Sequence, residues 1–173
     1  ATCDGFFFKD KEIAVVGGGD SALEEALFLT TYASKVYLIH RRDSLRASDI
    51  MQQRVFDNPK IEVLWNSVVS EIHGDSKLEE VVLTDTVTGA TRDMKLDGLF
   101  IAIGSDPRIE MVKDQLEITD QNTIAVQGRS SKTSLPGVFA AGDVIDPTYR
   151  QAIIAAGSGA VAALDAQHYL ENL

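Results

Sequence analysis

The sequence predicts an α/β fold: a parallel sheet with flanking helices, a β-meander inserted before the sheet's last strand, and a shorter C-terminal segment. Three observations predict it. Residues 12–16 are a short apolar run ending on Gly17-Gly18-Gly19, and a helical pattern follows. A second apolar run at 35–39 comes next, so strand, helix and strand alternate as in a parallel unit. Residues 99–103 form a third, very apolar run, which suits a strand buried on both faces.

The elements follow in order. Ile13, Val15 and Val16 make 12–16 a strand. The helix is expected over 20–32, with Asp20 or Ser21 as its cap and Ser21-Ala22-Leu23-Glu24 as a capping box. Leu23, Ala26, Leu27 and Thr30 recur at helical spacing, so that face should pack on the sheet. Residues 35–39 are the second strand, and the basic run His40-Arg41-Arg42 follows it. A second helix is expected over 47–57, stopping before Asn58-Pro59. Residues 61–64 read as a short strand. Residues 68–72, 78–84 and 91–95 read as antiparallel strands with turns at Gly74-Asp75 and Thr88-Gly89. Gly104 to Pro107 breaks the pattern after 99–103, and a boundary is placed near Gly104–Arg108, separating 1–104 from 105–173. Beyond it, 124–126 and 137–141 are expected as strands and 151–170 as a helix rich in Ala and Gly.

Composition narrows the function classes. The chain has 173 residues, 45% hydrophobic and 24% charged, which is ordinary globular composition and disfavours disorder. Twenty-six acids against 16 bases leave a net charge of −10, the wrong sign for a general nucleic-acid binder. The longest apolar stretch, 152–164, falls short of the roughly 18 residues a bilayer span needs. No charged-then-apolar leader opens the chain, and the single cysteine, Cys3, allows no internal disulfide framework; a reducing, cytoplasmic location is expected. Three scattered histidines, His40, His73 and His168, argue against a zinc site. The absence of an initial methionine, with the thiol two residues from the end, reads as a cut edge.

The glycine turn carries the first chemistry. Gly17-Gly18-Gly19-Asp20-Ser21-Ala22 has the form G-x-G-x-x-A between a strand and a helix, the context that a dinucleotide-binding, Rossmann-like unit requires. Gly17 permits the tight turn, Gly19 lets a pyrophosphate approach the backbone, and Ala22 lets helix and strand pack closely. The N–H groups of the helix start then bind the phosphates, helped by the helix dipole. The alternative is a glycine turn without a ligand, and the strand–turn–helix context weighs against it.

The end of the second strand selects the nucleotide. An NAD site usually places an acid there, on the ribose hydroxyl. Here stand His40, Arg41 and Arg42, with Arg46 one helical turn on. Guanidiniums suit a 2′-phosphate, which accepts charge-assisted, bidentate hydrogen bonds, so NADP(H) is favoured over NAD(H). Asp43 is near enough to neutralise part of the cluster. A solvated basic face is the plainer alternative.

Taken together, five motifs resemble those of the bacterial low-molecular-weight thioredoxin reductase family, over essentially the full chain. They are Ala1-Thr2-Cys3-Asp4-Gly5, the glycine turn, His40-Arg41-Arg42 with Arg46-Ala47, Pro136-Gly137-Val138-Phe139-Ala140-Ala141-Gly142-Asp143, and Arg150-Gln151-Ala152. The resemblance implies a flavoprotein that passes electrons from NADPH to FAD, then to a Cys-x-x-Cys pair, then to thioredoxin or a similar disulfide protein. It implies that Cys3 is the cysteine of that pair lying against the flavin, and that Asp4 is the acid that protonates the departing thiolate. The other cysteine would fall immediately before Ala1. Residues 1–104 are then an NADPH-binding domain and 105–173 the closing segment of an FAD domain. Ile103 and Gly104 would meet the nicotinamide, Gly142 and Asp143 the ribityl chain, and Arg150, Gln151 and Ala152 the flavin ring. A small-residue packing helix is the plainer reading of Ala155, Ala156, Gly157, Gly159 and Ala160. The resemblance also implies a homodimer in the full-length enzyme and no resident metal.

One departure stands out. The family usually has Gly-His-x-Pro-Asn after the third apolar run, whereas this chain has Gly104-Ser105-Asp106-Pro107-Arg108. A subfamily variation or a paralogue with another disulfide partner would fit. None of Tyr32, Tyr37, Tyr149 and Tyr169 has a lysine four residues on, which excludes a short-chain dehydrogenase. A related flavin reductase serving a peroxidase or ferredoxin, and a non-catalytic NADPH-binding module, are the remaining alternatives; Cys3 argues against the ferredoxin branch. Ile153, Ile154, Val161 and Leu164 expect a sheet partly supplied from elsewhere, so exposed apolar surface is expected on the last helix.

Overall fold

Strand β1 (Glu12–Gly17) sets the architecture of the first part of the chain. Ile13, Ala14 and Val15 are all fully buried, so both faces of the strand are covered. Side chains alternate along a strand. Accordingly Ile13 and Val15 pack with Leu23, Ala26 and Leu29 of helix α1 (Asp20–Leu29), while Ala14 packs on the other face with Val81, Leu83 and Leu96. β2 (Lys35–Ile39) repeats the pattern, with Val36 and Leu38 toward the helix and Ile39 toward the opposite layer. β3 is Ile61–Leu64. The meander β4 (Ser67–His73), β5 (Glu80–Asp85) and β6 (Thr91–Lys95) forms its own antiparallel sheet, and β7 (Gly98–Ala102) rejoins the first one. The parallel sheet runs β3-β2-β1-β7, with Val15 beside Leu38 and Phe100. This is the expected α/β fold with a parallel sheet and a meander layer.

The computed structural model describes all 173 residues. They divide into two units, Ala1–Gly104 and Ser105–Leu173. No helix is long and apolar enough to cross a membrane.

Several local expectations are corrected. The capping box does not form: the N-cap of α1 is Gly19, and no side chain bonds the free N–H groups there. The helix ends at Leu29 and continues only as tight turns, Thr31 N–H to Phe28 O and Tyr32 N–H to Leu29 O. Helix α2 (Asp49–Phe56) starts two residues later than expected, because the backbone is still extended at its N-cap, Ser48 (ψ 147°). β7 is an edge strand, not a doubly buried one. Ile101 is 60% exposed, and Ile103 lies beyond the strand. The short 3-10 turn Gly5–Phe8 was not legible in the apolar pattern; its Phe8 ring packs edge-on against Phe100 at 5.3 Å, over Gly98.

In the second unit the two expected strands are absent. Residues 124–126 and 137–141 each find a single antiparallel bridge, Ile118 with Ile124 and Lys132 with Phe139, and one bridge does not make a ladder. Ile109, Leu116, Ile124 and Ala140 form this unit's small core. Helix α3 (Ala152–Glu171) has no buried residue at all. It is held mainly by polar ties. The Asp165 carboxylate accepts the Ser131 N–H and hydroxyl, both at 2.7 Å, and the Ser158 hydroxyl accepts the Gly142 N–H at 2.9 Å. Ile153 is 81% exposed and Leu164 56%, the open apolar face anticipated from the sequence.

Candidate functional site: a glycine turn and an arginine loop

The turn after β1 is built by three glycines, each for a different steric reason. A Cβ on Gly17 would stand 2.5 Å from the Ala102 carbonyl oxygen and 2.5 Å from the Ala22 Cβ, so Gly17 lets β7 and α1 close on β1. A Cβ on Gly18 would stand 2.3 Å from the His40 ring. A Cβ on Gly19 would meet nothing within 4 Å. Gly19 is extended (φ −100°, ψ 178°) and directly precedes the first turn of α1. The Ala22 N–H closes on the Gly19 carbonyl at 3.0 Å, whereas the Asp20 and Ser21 N–H groups ahead of it have no helix carbonyl to bond and carry the positive dipole end. The open space over Gly19 is therefore what a diphosphate needs and what a side chain would fill.

Beside the turn lies the loop between β2 and α2. His40 is only 5% exposed, and its ring nitrogens each face a backbone oxygen: Nδ1 to Gly17 and Nε2 to Ser44, both at 2.9 Å. His40 was expected among the cofactor-binding residues. Its ring nitrogens face the backbone and brace the loop against the glycine turn. The Arg46 N–H donates to the Gly18 carbonyl at 2.7 Å, and the carbonyls of Arg41 and Arg42 accept from the Thr86 hydroxyl and the Asn66 N–H. The backbone is thus pinned while the side chains of Arg41, Arg42 and Arg46 stay exposed. None of the three forms an ion pair. Asp43 does not neutralise them; it takes a long hydrogen bond from Ser44.

Asp20 and Ser21 open α1 with exposed side chains, and Ala22 is buried against Gly17. The Asp20 carboxylate faces Ser48, whose backbone N–H and then hydroxyl hold it below the usual carboxylate range. Sequence reading missed this pair, since 28 residues separate the partners. Ile103 and Gly104 follow β7, with Ile103 68% exposed and Gly104 at φ +103°, a backbone that favours glycine.

At the start of the first unit Cys3 and Asp4 are both exposed. Phe6 and Phe7 follow at 66% and 73% exposure, an apolar patch in sequence with the thiol.

In the second unit Gly142 (φ +81°) turns the chain into exposed Asp143, and Gln151 is the N-cap of α3 with Ala152 its first residue. Arg150 adopts φ +47° and donates to the Pro147 carbonyl. Asp146 builds this bend. Its carboxylate accepts the N–H groups of Thr148, Tyr149 and Arg150, and the Tyr149 and Thr148 bonds hold it below the usual range. The Asp-Pro dipeptide was the signal available for it. A cleft of about 650 Å³ lies along α3, bounded by Gly128, Gly142, Ile145, Ile154 and Ser158.

The family model of pyridine nucleotide-disulphide oxidoreductases matches residues 1–159. The chain belongs to this family. Within it, the chain is 59% identical over 173 residues to a thioredoxin reductase of Streptomyces clavuligerus, covering all of this chain and 54% of that one. It is 57% identical to a thioredoxin reductase of Mycolicibacterium smegmatis, over 98% of this chain and 55% of the other. The crystal structure of thioredoxin reductase from Streptococcus pyogenes superposes with a TM-score of 0.84 at 46% identity, over 98% of this chain and 56% of that one. The chain spans about half the length of the curated relatives it matches.

Proposed function

We propose that this chain is the C-terminal part of a thioredoxin reductase of the low-molecular-weight bacterial type. Residues 1–104 bind NADPH and residues 105–173 supply the closing segment of the FAD domain. The observation that carries the reading is the pairing of an open Gly19 with three exposed guanidiniums held in no ion pair. Such cations, fixed at the end of β2, complement a dianionic 2′-phosphate through charge-assisted hydrogen bonds.

In this reading NADPH and FAD supply the hydride and the electron relay that reduce a disulfide. The chain's own residues do the rest. Gly17, Gly18, Gly19, Ser21 and Ala22 shape the diphosphate cradle. Arg41, Arg42 and Arg46 grip the extra phosphate. Ile103 and Gly104 lie at the nicotinamide end, and Gly142, Asp143, Arg150, Gln151 and Ala152 lie at the flavin. Cys3 is one half of the redox pair, with the other cysteine outside the given residues. Two electrons and two protons convert that disulfide to two thiols, and Asp4 relays the proton that the leaving thiolate takes up. Phe6 and Phe7 suit a protein substrate, because exposed aromatics next to a redox thiol recognise apolar protein surface better than a small polar thiol. The reading places the whole protein in the cytoplasm as a homodimer and gives it thioredoxin as partner.

The 173-residue chain is expected to bind NADPH without turning it over, since the electron relay needs more of the flavin site than residues 105–173 provide. Calorimetric titration with NADPH and NADH tests the nucleotide site. Arg41→Ala or Arg42→Ala should cost NADPH about 1.5–3 kcal/mol and leave NADH nearly unchanged. Equal losses for both nucleotides would overturn the assignment. Robust NADPH oxidation by this chain with a disulfide acceptor would overturn the division of labour.

A further inference from the structure

Asp20 presents a puzzle of charge. It stands in the first turn of α1, where the proposed reading puts a diphosphate, and a carboxylate there repels an anionic ligand. Its structural use is elsewhere. Oδ1 accepts both the Ser48 backbone N–H at 3.0 Å and the Ser48 hydroxyl at 2.8 Å. Ser48 is the N-cap of α2, yet its hydroxyl makes no capping bond to that helix. A good capping hydroxyl has been diverted to a carboxylate 28 residues away, which ties the end of the arginine loop to the diphosphate turn.

The loop from His40 to Ser48 has no regular secondary structure, so its shape depends on such ties. At its start His40 bonds the Gly17 carbonyl. Near its end Arg46 bonds the Gly18 carbonyl through its backbone, and Ser48 is clasped by Asp20 two residues later. Beside the clasp, that end is held by the Arg46 N–H, by the Gln52 amide on the Ala47 carbonyl and by the buried side chains of Leu45 and Ala47, and of these only the Arg46 bond reaches the glycine turn.

We infer that Asp20 and Ser48 are specificity-positioning residues: their clasp sets the distance between the diphosphate turn and the arginine loop, and so favours a nucleotide bearing a 2′-phosphate over one without it. This rests on the reading of Arg41, Arg42 and Arg46 as 2′-phosphate ligands. Asp20 is then not a ligand of the cofactor. It acts through the loop.

The distinction is measurable, because the geometry of the acceptor and its charge can be separated. Asp20→Asn keeps an oxygen acceptor for both Ser48 donors and removes the charge. Asp20→Ala breaks both bonds of the clasp, Ser48→Ala removes the hydroxyl bond and keeps the backbone one, and Ser48→Thr retains both donors. Calorimetric affinities of the 173-residue chain for NADPH and for NADH give the selectivity ratio of each variant, and Trp65 fluorescence in urea checks that each is folded. Expected for Asp20→Ala is a fall in NADPH affinity of about fivefold to tenfold, and for Ser48→Ala a smaller fall of about threefold, with NADH changed less than about twofold in both. Asp20→Asn and Ser48→Thr should restore the wild-type ratio, with Asp20→Asn binding both nucleotides at least as tightly.

Arg42→Ala, measured alongside, separates the two readings. If Arg42→Ala loses NADPH selectively while Asp20→Ala leaves the ratio unchanged, or weakens both nucleotides alike, the clasp has no positioning role and the inference fails alone. If Arg42→Ala is not selective, the arginine reading fails and takes the inference with it. Should Asp20→Ala not fold, Ser48→Ala decides by the same ratio.

Discussion

Gly18→Ala and Gly19→Ala should have opposite consequences, although the two residues are neighbours in one turn. The Gly18 Cβ would lie 2.3 Å from His40 Cε1 and Nδ1. To reach ordinary van der Waals contact the ring must retreat by roughly 1 Å. It has little freedom to do so. His40 is buried, faces the Gly17 and Ser44 carbonyls at 2.9 Å, and packs edge-on against Trp65 at 6.3 Å. Overpacking of this kind costs about 1–3 kcal/mol, and a disrupted hydrogen bond adds about 0.5–1.5 kcal/mol. A loss of about 2–4 kcal/mol is therefore expected. The Gly19 Cβ meets nothing within 4 Å, and its backbone angles suit alanine. Its stability cost should stay within about 1 kcal/mol, the small N-cap penalty being offset by reduced freedom of the unfolded chain. Yet that methyl would occupy the space proposed for the diphosphate, so NADPH affinity should fall about tenfold or more. The sole tryptophan, Trp65, lies in the first unit and reports its unfolding in urea. With an ordinary urea slope, Gly18→Ala should lower the midpoint by about 1 M or more. A destabilised Gly19→Ala, or one that binds NADPH like wild type, would refute the reasoning.

Two further outcomes follow from other parts of the structure. Burial first, and then the hydrogen bond to Glu12, pushes the Tyr37 phenol up to about 12, so it should be the last tyrosine to ionise in an absorbance titration at 295 nm. The contribution is complete below the ordinary tyrosine value of about 10 and is lost as pH rises through the folded one; Tyr37→Phe should delete the late step. Asp165→Ala should speed amide exchange at Ser131 and along α3, since that carboxylate is held low by the Ser131 backbone N–H and hydroxyl. Its contribution is present above the unfolded carboxylate value and is lost as pH falls through the depressed one, so exchange in wild type should approach the variant's in strong acid.

Elements whose pattern is local are legible in the residues before any folding is considered. β2 and β3 begin and end where their apolar runs do, because that pattern is written in consecutive residues. The glycine turn between β1 and α1 was legible for the same reason, as was the exposed apolar face of α3. Partnership between distant residues is set by the folded chain. Nothing local says that β7 stands at the sheet edge, or that 124–126 and 137–141 each find one bridge instead of a ladder. His40 sits in a basic run that looks solvent-facing, yet it is buried because the glycine turn brings a carbonyl to its ring. Asp20 looks like a helix cap and is a clasp, because folding brings the Ser48 N–H and hydroxyl within 3.0 Å of it. A polar side chain bonds whichever donor or acceptor the folded chain delivers, and that delivery depends on contacts between residues far apart in sequence.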